Sequence, residues 1–368
     1  MIPIFEPYIH SSAKRNILNA LDKNWISSQG EYIKLFENKL ANFHNRKYCI
    51  VTSNCTTALH LALLALDLKK NDEIICPVLS FIAPANMILL SGIKIRFIDI
   101  DPKTLNLDLK LVKKNIKKNT KAILFVNQFG HTIDFQELNI IKKRYNLKVI
   151  EDNAESFGGR YKNKIAGSLG DISTLSFFAN KIITTGEGGA LLTNNKKYYK
   201  KCLIMRDHGM SRKKRYFHTM LGFNYRMTNL QAAIGVSQLK EWKKILKKRK
   251  EQMSLYYKLL QNINHIELRQ FKEWCTPAHW LLTITVKKKN LRNLLIKYLK
   301  SHNIEARPMI NLITKSLHFK KYDNKKLFNN AQIVSKNSLH LPSSTNLSRK
   351  NIYYISNRIK YFFNKNTR

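Results

Sequence analysis

The chain has 368 residues with 44% apolar composition, enough for one large core and a smaller second one. Its apolar runs are too short to cross a bilayer, and MIPIFEPYIH lacks the basic flank and apolar stretch of a secretory signal. Lys and Arg number 65 against 24 acidic residues, a net charge of +41, yet no arginine-rich cluster, zinc-finger spacing or aromatic single-strand motif accompanies it.

Those limits lead to expectations of a cytoplasmic protein with no membrane insertion and no specific nucleic acid partner. The excess charge also suits a phosphorylated small substrate, such as a nucleotide diphosphate. Five cysteines, Cys49, Cys55, Cys76, Cys202 and Cys275, form no CxxC pair and leave an odd number, so neither a disulfide framework nor a metal site is expected.

In chain order, LFENKLANFHNR predicts an amphipathic helix, and YCIVTSNCTTALHLALLALDL predicts a strand, a polar turn and a second helix. The turn sets Ser53, Asn54, Thr56 and Thr57 where hydroxyls and unpartnered helix amides can meet a phosphate, although helix capping accounts for the same residues. DEIICPVLSFIAPANMILLSG, IKIRFIDID, KAILFVNQFG and LKVIEDNAE repeat the pattern of an apolar run closing in polar or small residues. Such alternation predicts a mostly parallel sheet covered by helices, with Phe81, Gln128, Asp152 and Glu155 facing one crevice beyond the strand ends.

The segment SFFANKIITTGEGGALLTN places Lys181 between an aromatic strand-like run and a glycine-rich turn. A lysine so placed can condense with an aldehyde cofactor, be displaced by an amine substrate and then move protons as a tethered base. Asp152 lies upstream, directly after an apolar run, where a carboxylate can pair with a protonated pyridine nitrogen. Together they point to pyridoxal phosphate.

Beyond the turn, a polar loop through RDHGM leads to GFNYRMTNLQAAIGVSQLKEW, and KKILKKRKEQMSLYYKLLQNI predicts a long helix. A boundary near residue 245 is expected, giving a large cofactor-binding domain over 1–245 and a small one over 246–368. The small one has strand-like HWLLTITV, helical LRNLLIKYLKSHNI, extended EARPMI and a final helix in NIYYISNRIKYFFN, an α+β pattern.

These motifs resemble the DegT/DnrJ/EryC1/StrS aminotransferases from IPIFEPYI through WISSQGEYIKLFE, TSNCTTALHLAL, EDNAES, SFFANKIITTGEGG and GFNYRMTNLQAAIG to EARPMI and NSLHLPSS. The resemblance implies an α/β chain of the aspartate-aminotransferase fold, fold type I, with a mostly parallel seven-stranded sheet and a small C-terminal α+β domain. It implies that Lys181 forms the Schiff base with pyridoxal 5'-phosphate, Asp152 binds the pyridine nitrogen, Phe81 covers the ring and Glu155 lies near the phenolic oxygen. Cys55, Thr56 and Ser176 match phosphate-binding positions. Asn224 and Arg226 match positions that reach the other subunit's site, so a homodimer with shared active sites is implied.

The implied reaction moves an amino group from L-glutamate to C4 of GDP-4-keto-6-deoxy-D-mannose, giving GDP-perosamine and 2-oxoglutarate for a surface glycan such as lipopolysaccharide O-antigen. A UDP- or dTDP-linked 4-keto-6-deoxy sugar, or a noncatalytic sugar-nucleotide-binding regulator, are the alternatives. Arg307 is a candidate for the substrate carboxylate or sugar nucleotide, with a domain-interface ion pair as its other reading. Two residues depart from the pattern: Cys55 stands where relatives carry glycine in SNGT, and Thr314 stands near a position where they carry histidine.

Overall fold

A computed structural model describes residues 1–288, 290–324 and 326–366. Seven strands form its main sheet: β1 (Tyr48–Thr52), β2 (Glu73–Pro77), β3 (Lys94–Ile98), β4 (Thr120–Val126), β5 (Lys148–Asp152), β6 (Ile172–Ser176) and β7 (Gly189–Thr193). Their order is β1-β7-β6-β5-β4-β2-β3. β7 runs antiparallel to both neighbours and the remaining pairs are parallel. Parallel strands need crossover helices, which cover both faces, and this is why EIICP and ISTLS are buried along their whole length.

The expected elements therefore lie where their residues place them. The helix Glu31–Phe43 buries Tyr32, Phe36, Leu40 and Ala41 as one stripe, and the helix Cys55–Ala65 follows β1 after a two-residue turn. Asn54 and Thr57 close a capping box, the Thr57 N–H donating to Asn54 Oδ1 at 2.9 Å.

A second sheet runs in the order Ile266–Leu268, Leu282–Val286, Ser338–Leu341 and Arg307–Pro308, all pairs antiparallel. Helices Leu291–Ser301 and Arg349–Asn366 bury Leu295, Leu299, Ile352, Ile355 and Ile359 in its core. That is the α+β pattern expected of the C-terminal part.

One continuous helix, Asn229–Leu260, serves both cores. Thr228 and Gln231 cap its start, Ala232, Ala233 and Val236 enter the large core, and Met253, Tyr256 and Leu260 enter the smaller one. Residue 245 lies inside this helix. The chain ends also interleave: Ile2 bridges to Ile304, while Trp280, Met309 and Leu312 return to the large core.

β7 begins at Gly189, pressed against the start of the Cys55–Ala65 helix. A Cβ there would lie 2.4 Å from the Asn54 carbonyl carbon and 2.5 Å from the Cys55 nitrogen. Backbone on both sides leaves no flexible atom to yield. Gly189→Ala is expected to cost roughly 1–3 kcal/mol in denaturant unfolding and to weaken cofactor binding in a fluorescence titration, because the helix start must shift.

Candidate active site

Strand alternation sends neighbouring carboxylates of β5 to opposite faces. Glu151 turns into the protein and accepts from Asn127 Nδ2 (2.8 Å), Ser173 Oγ (2.8 Å) and the N–H groups of Gly167 (2.7 Å), Leu169 (2.7 Å) and Gly170 (3.1 Å). Asp152 faces the other way, towards the helix Cys55–Ala65. It is buried, and its Oδ1 accepts the Ala154 N–H at 2.9 Å. Among the described residues no basic side chain forms an ion pair with it.

Burial pushes the Asp152 carboxyl up to about 7, with the nearby Glu155 adding to the rise and the Ala154 N–H and Lys181 opposing it. Glu155 is buried too, and its carboxyl is raised by burial against the opposing Lys181 charge and the Phe129 N–H, which donates to Oε2 at 2.8 Å. Lys181 completes the group. Burial lowers its ammonium below the usual lysine range while Glu155, Asp152 and Cys55 pull the other way. The aromatic run and the glycine turn that flank Lys181 in sequence are β6, with the residues just beyond it, and the loop into β7.

A raised carboxyl makes the cofactor-free protein pH-sensitive. The folded state holds the Asp152 proton to about 7 whereas an unfolded aspartate releases it near 3.8, so this group lowers stability as pH rises between those values. Asp152→Asn cannot ionise. Without cofactor it is expected to be more stable than the parent by at least about 1 kcal/mol at pH 8, the gain vanishing below pH 4 in thermal unfolding.

At the far end of the pocket, the N–H groups of Cys55 and Thr56 open the helix Cys55–Ala65 and have no acceptor among the described residues, since the capping box uses Thr57. Ser176 closes β6, and its Oγ accepts the Phe178 N–H at 3.4 Å. Phe81, 63% exposed, precedes the helix Ala83–Leu90. These residues fit pyridoxal phosphate: free helix amides for the phosphate, a buried carboxylate lacking a cation for the ring nitrogen, and an amine between them.

The remaining candidates have other attachments within this chain. Asn224 is exposed and bridges to Asp207, the same residue that pairs with Arg226. Arg307 pairs with Glu305, Nε and Nη2 both 2.7 Å from Oε1, while Oε2 of that glutamate accepts the Ile4 N–H. Thr314 is fully buried and donates to Asp323 at 3.2 Å.

Three residues with no sequence signal complete the surroundings. Trp280 lays its ring on the Lys181 ammonium, 3.7 Å from Nζ to the centroid. Arg269 donates from Nη1 to the Gln128 carbonyl at 2.9 Å and from Nη2 to the Thr104 carbonyl, pinning the turn that holds Phe129 at φ 48°. Arg249, 2% exposed, donates from Nη1 to the Trp280 and Ser343 carbonyls at 2.8 and 2.9 Å.

Known proteins share this sequence and architecture. The GDP-perosamine synthase of Escherichia coli O157:H7 is 37% identical over 363 residues, covering 98% of each chain. Helicobacter pylori PseC, an aminotransferase involved in the biosynthesis of pseudoaminic acid, superposes with a TM-score of 0.94 at 27% identity over 99% of each chain. The E. coli GDP-4-keto-6-deoxy-D-mannose-3-dehydratase, with bound hydrated PLP, gives 0.91 at 28% identity, covering 97% of this chain and 99% of its own. Residues 7–360 match the family model throughout, and the protein is a PLP-dependent enzyme belonging to the DegT/DnrJ/EryC1/StrS aminotransferase family.

Proposed function

We propose that the enzyme transfers the amino group of L-glutamate to C4 of GDP-4-keto-6-deoxy-D-mannose, releasing 2-oxoglutarate and GDP-perosamine. The observation that carries this reading is the gathering of Lys181 with the buried carboxyls of Asp152 and Glu155, close enough for each charge to act on the others. The choice of sugar is supported by the 37% identical relative that bears the name GDP-perosamine synthase.

Bound in the pocket, pyridoxal phosphate supplies the carbonyl that carries the amino group and the ring that accepts electrons when a C–H bond breaks. Asp152 keeps the ring nitrogen protonated, and the cation it then faces returns its carboxyl to the ionised form. Lys181 Nζ takes the proton from Cα of glutamate and, in the second half of the cycle, delivers one to C4 of the sugar. The Cys55 and Thr56 amides with the Ser176 hydroxyl would hold the phosphate, Phe81 would cover the ring, and Glu155 would serve its phenolic oxygen.

The active unit in this reading is a homodimer, with the exposed Asn224 and neighbouring Arg226 reaching the other copy's site. Among the described residues no helix is long and apolar enough to cross a membrane, in keeping with work in the cytoplasm.

Incubation with pyridoxal phosphate, glutamate and GDP-4-keto-6-deoxy-D-mannose tests the proposal, with the sugar product identified by mass spectrometry and NMR. A C4-aminated GDP sugar is the expected result. Amination of a UDP- or dTDP-linked 4-keto sugar instead would move the substrate assignment, and binding without any amine exchange would replace catalysis with a regulatory role.

A further inference from the structure

The indole of Trp280 is held on every side yet gives its face to a charge. Its Nε1–H donates to the carbonyl of Asn180, the residue before Lys181, at 2.6 Å. Its own carbonyl accepts from Arg249 Nη1, its ring stacks on Phe129 with centroids 6.0 Å apart and planes 7° from parallel, and the residue is 5% exposed. Two residues earlier, the Ala278 N–H donates to the Gly130 carbonyl at 3.0 Å. The ring therefore cannot swing aside without breaking contacts on both of its flanks.

Against that fixed face sits the Lys181 ammonium, 3.7 Å from the centroid. Among the described residues no carboxylate forms an ion pair with it. A desolvated cation over an indole is held by the negative face of the ring quadrupole.

We infer that the Trp280 face is the resting place of the Lys181 ammonium whenever that amine is not bonded to the cofactor, making Trp280 a positioning residue for the amine. The inference rests on the reading of Lys181 as the cofactor-bonding lysine. Each turnover releases the amine from the cofactor and needs it back; a rigid platform one residue from the lysine's own backbone anchor keeps it within reach and favours its protonated form. Asp152 at the end of β5, Glu155 in the loop after it and Cys55 at the helix start are the other groups whose charge Lys181 feels. Arg269 faces Glu155 from the C-terminal part of the chain, and Arg249 lies behind the Trp280 carbonyl.

Removing the ring takes away an interaction with the charged form, so the lysine should lose its proton at lower pH. The test is the rate at which the full-length, cofactor-free protein captures pyridoxal phosphate, trapped with borohydride and located on Lys181 by mass spectrometry, from neutral to alkaline pH. Trp280→Leu is expected to shift the midpoint of that profile down by about one pH unit, so that capture near neutrality is several-fold faster. Trp280→Phe, which keeps a π face, should shift it less. Should the leucine variant not fold, the parent protein grown with mono- and trifluorinated tryptophan answers the same question with shape preserved. Of its four tryptophans, Trp280 is the one whose ring lies on Lys181, and the midpoint should fall stepwise as fluorine withdraws charge from the ring.

A flat midpoint across both series would overturn the inference. Lys181→Ala separates the two layers: if that variant loses capture while the tryptophan series is flat, the platform fails and the reading of Lys181 stands. If Lys181→Ala still captures the cofactor, both fall.

Discussion

Lys181→Ala is expected to stay folded while transferring amino groups at least about 10⁴-fold more slowly, because one side chain supplies both the covalent attachment and the proton transfer. Formation of 2-oxoglutarate from glutamate measures the loss, and the absorbance of the cofactor–lysine bond should vanish with it. Lys181→Arg sharpens the point: a guanidinium keeps a cation on the Trp280 ring but stays protonated and cannot condense with an aldehyde, so it should be as inactive as alanine. Activity within tenfold of the parent in either variant would remove Lys181 from the chemistry. The fold should survive because the lysine forms no ion pair among the described residues and its loss orphans no hydrogen-bond partner.

Glu151→Ala should have the largest effect on stability, at least about 3 kcal/mol in denaturant unfolding. Five donors converge on this carboxylate from β4's end, the Gly167–Gly170 turn and β6; alanine leaves the three turn N–H groups and the Ser173 hydroxyl buried without an acceptor, while Asn127 Nδ2 keeps only Asn153 Oδ1. Glu151→Gln should rescue little, since its amide would turn an N–H₂ towards groups that are themselves donors. The consequence reaches function through the next residue. Loosening the turn and the strand end moves Asp152, so any folded Glu151 variant is also expected to bind the cofactor more weakly in a spectrophotometric titration.

Part of this site is legible in the sequence itself. Asp152 and Glu155 follow an apolar run whose burial demands strand structure, and a strand end in a parallel sheet faces the crevice. Lys181 stood out by its neighbours rather than by itself, in a chain full of lysine. What was hidden came from far along the sequence. Trp280 sits in HWLLTITV, where an aromatic residue reads as strand core, and no local pattern says that its ring turns to the large core while Leu282–Val286, just beyond it, joins the small sheet. Arg269 and Arg249 are likewise two cations in a cation-rich chain; the carbonyls they bind lie 31 to 165 positions away. Thr314, near the position where relatives carry histidine, donates to Asp323 in this chain, a contact between residues nine apart that no local pattern announces. Glu151 gave no sign of its five donors because strand alternation predicts a direction, not an environment.

The helix Asn229–Leu260 carries a further consequence for how such a protein can change. Its 32 residues form a rod roughly 48 Å long that begins beside the Glu187 carbonyl, which Gln231 Nε2 reaches at 2.9 Å, and ends in the second core. Substitutions along its exposed side alter only what they touch. A single inserted or deleted residue near its middle would instead turn everything beyond that point by about 100° and shift it by about 1.5 Å. Arg249 would then miss the two carbonyls it ties together, and Met253, Tyr256 and Leu260 would leave their seats. Variation in this protein can therefore proceed by exchanging side chains along the rod, whereas its length acts as a ruler that insertion or deletion cannot pass.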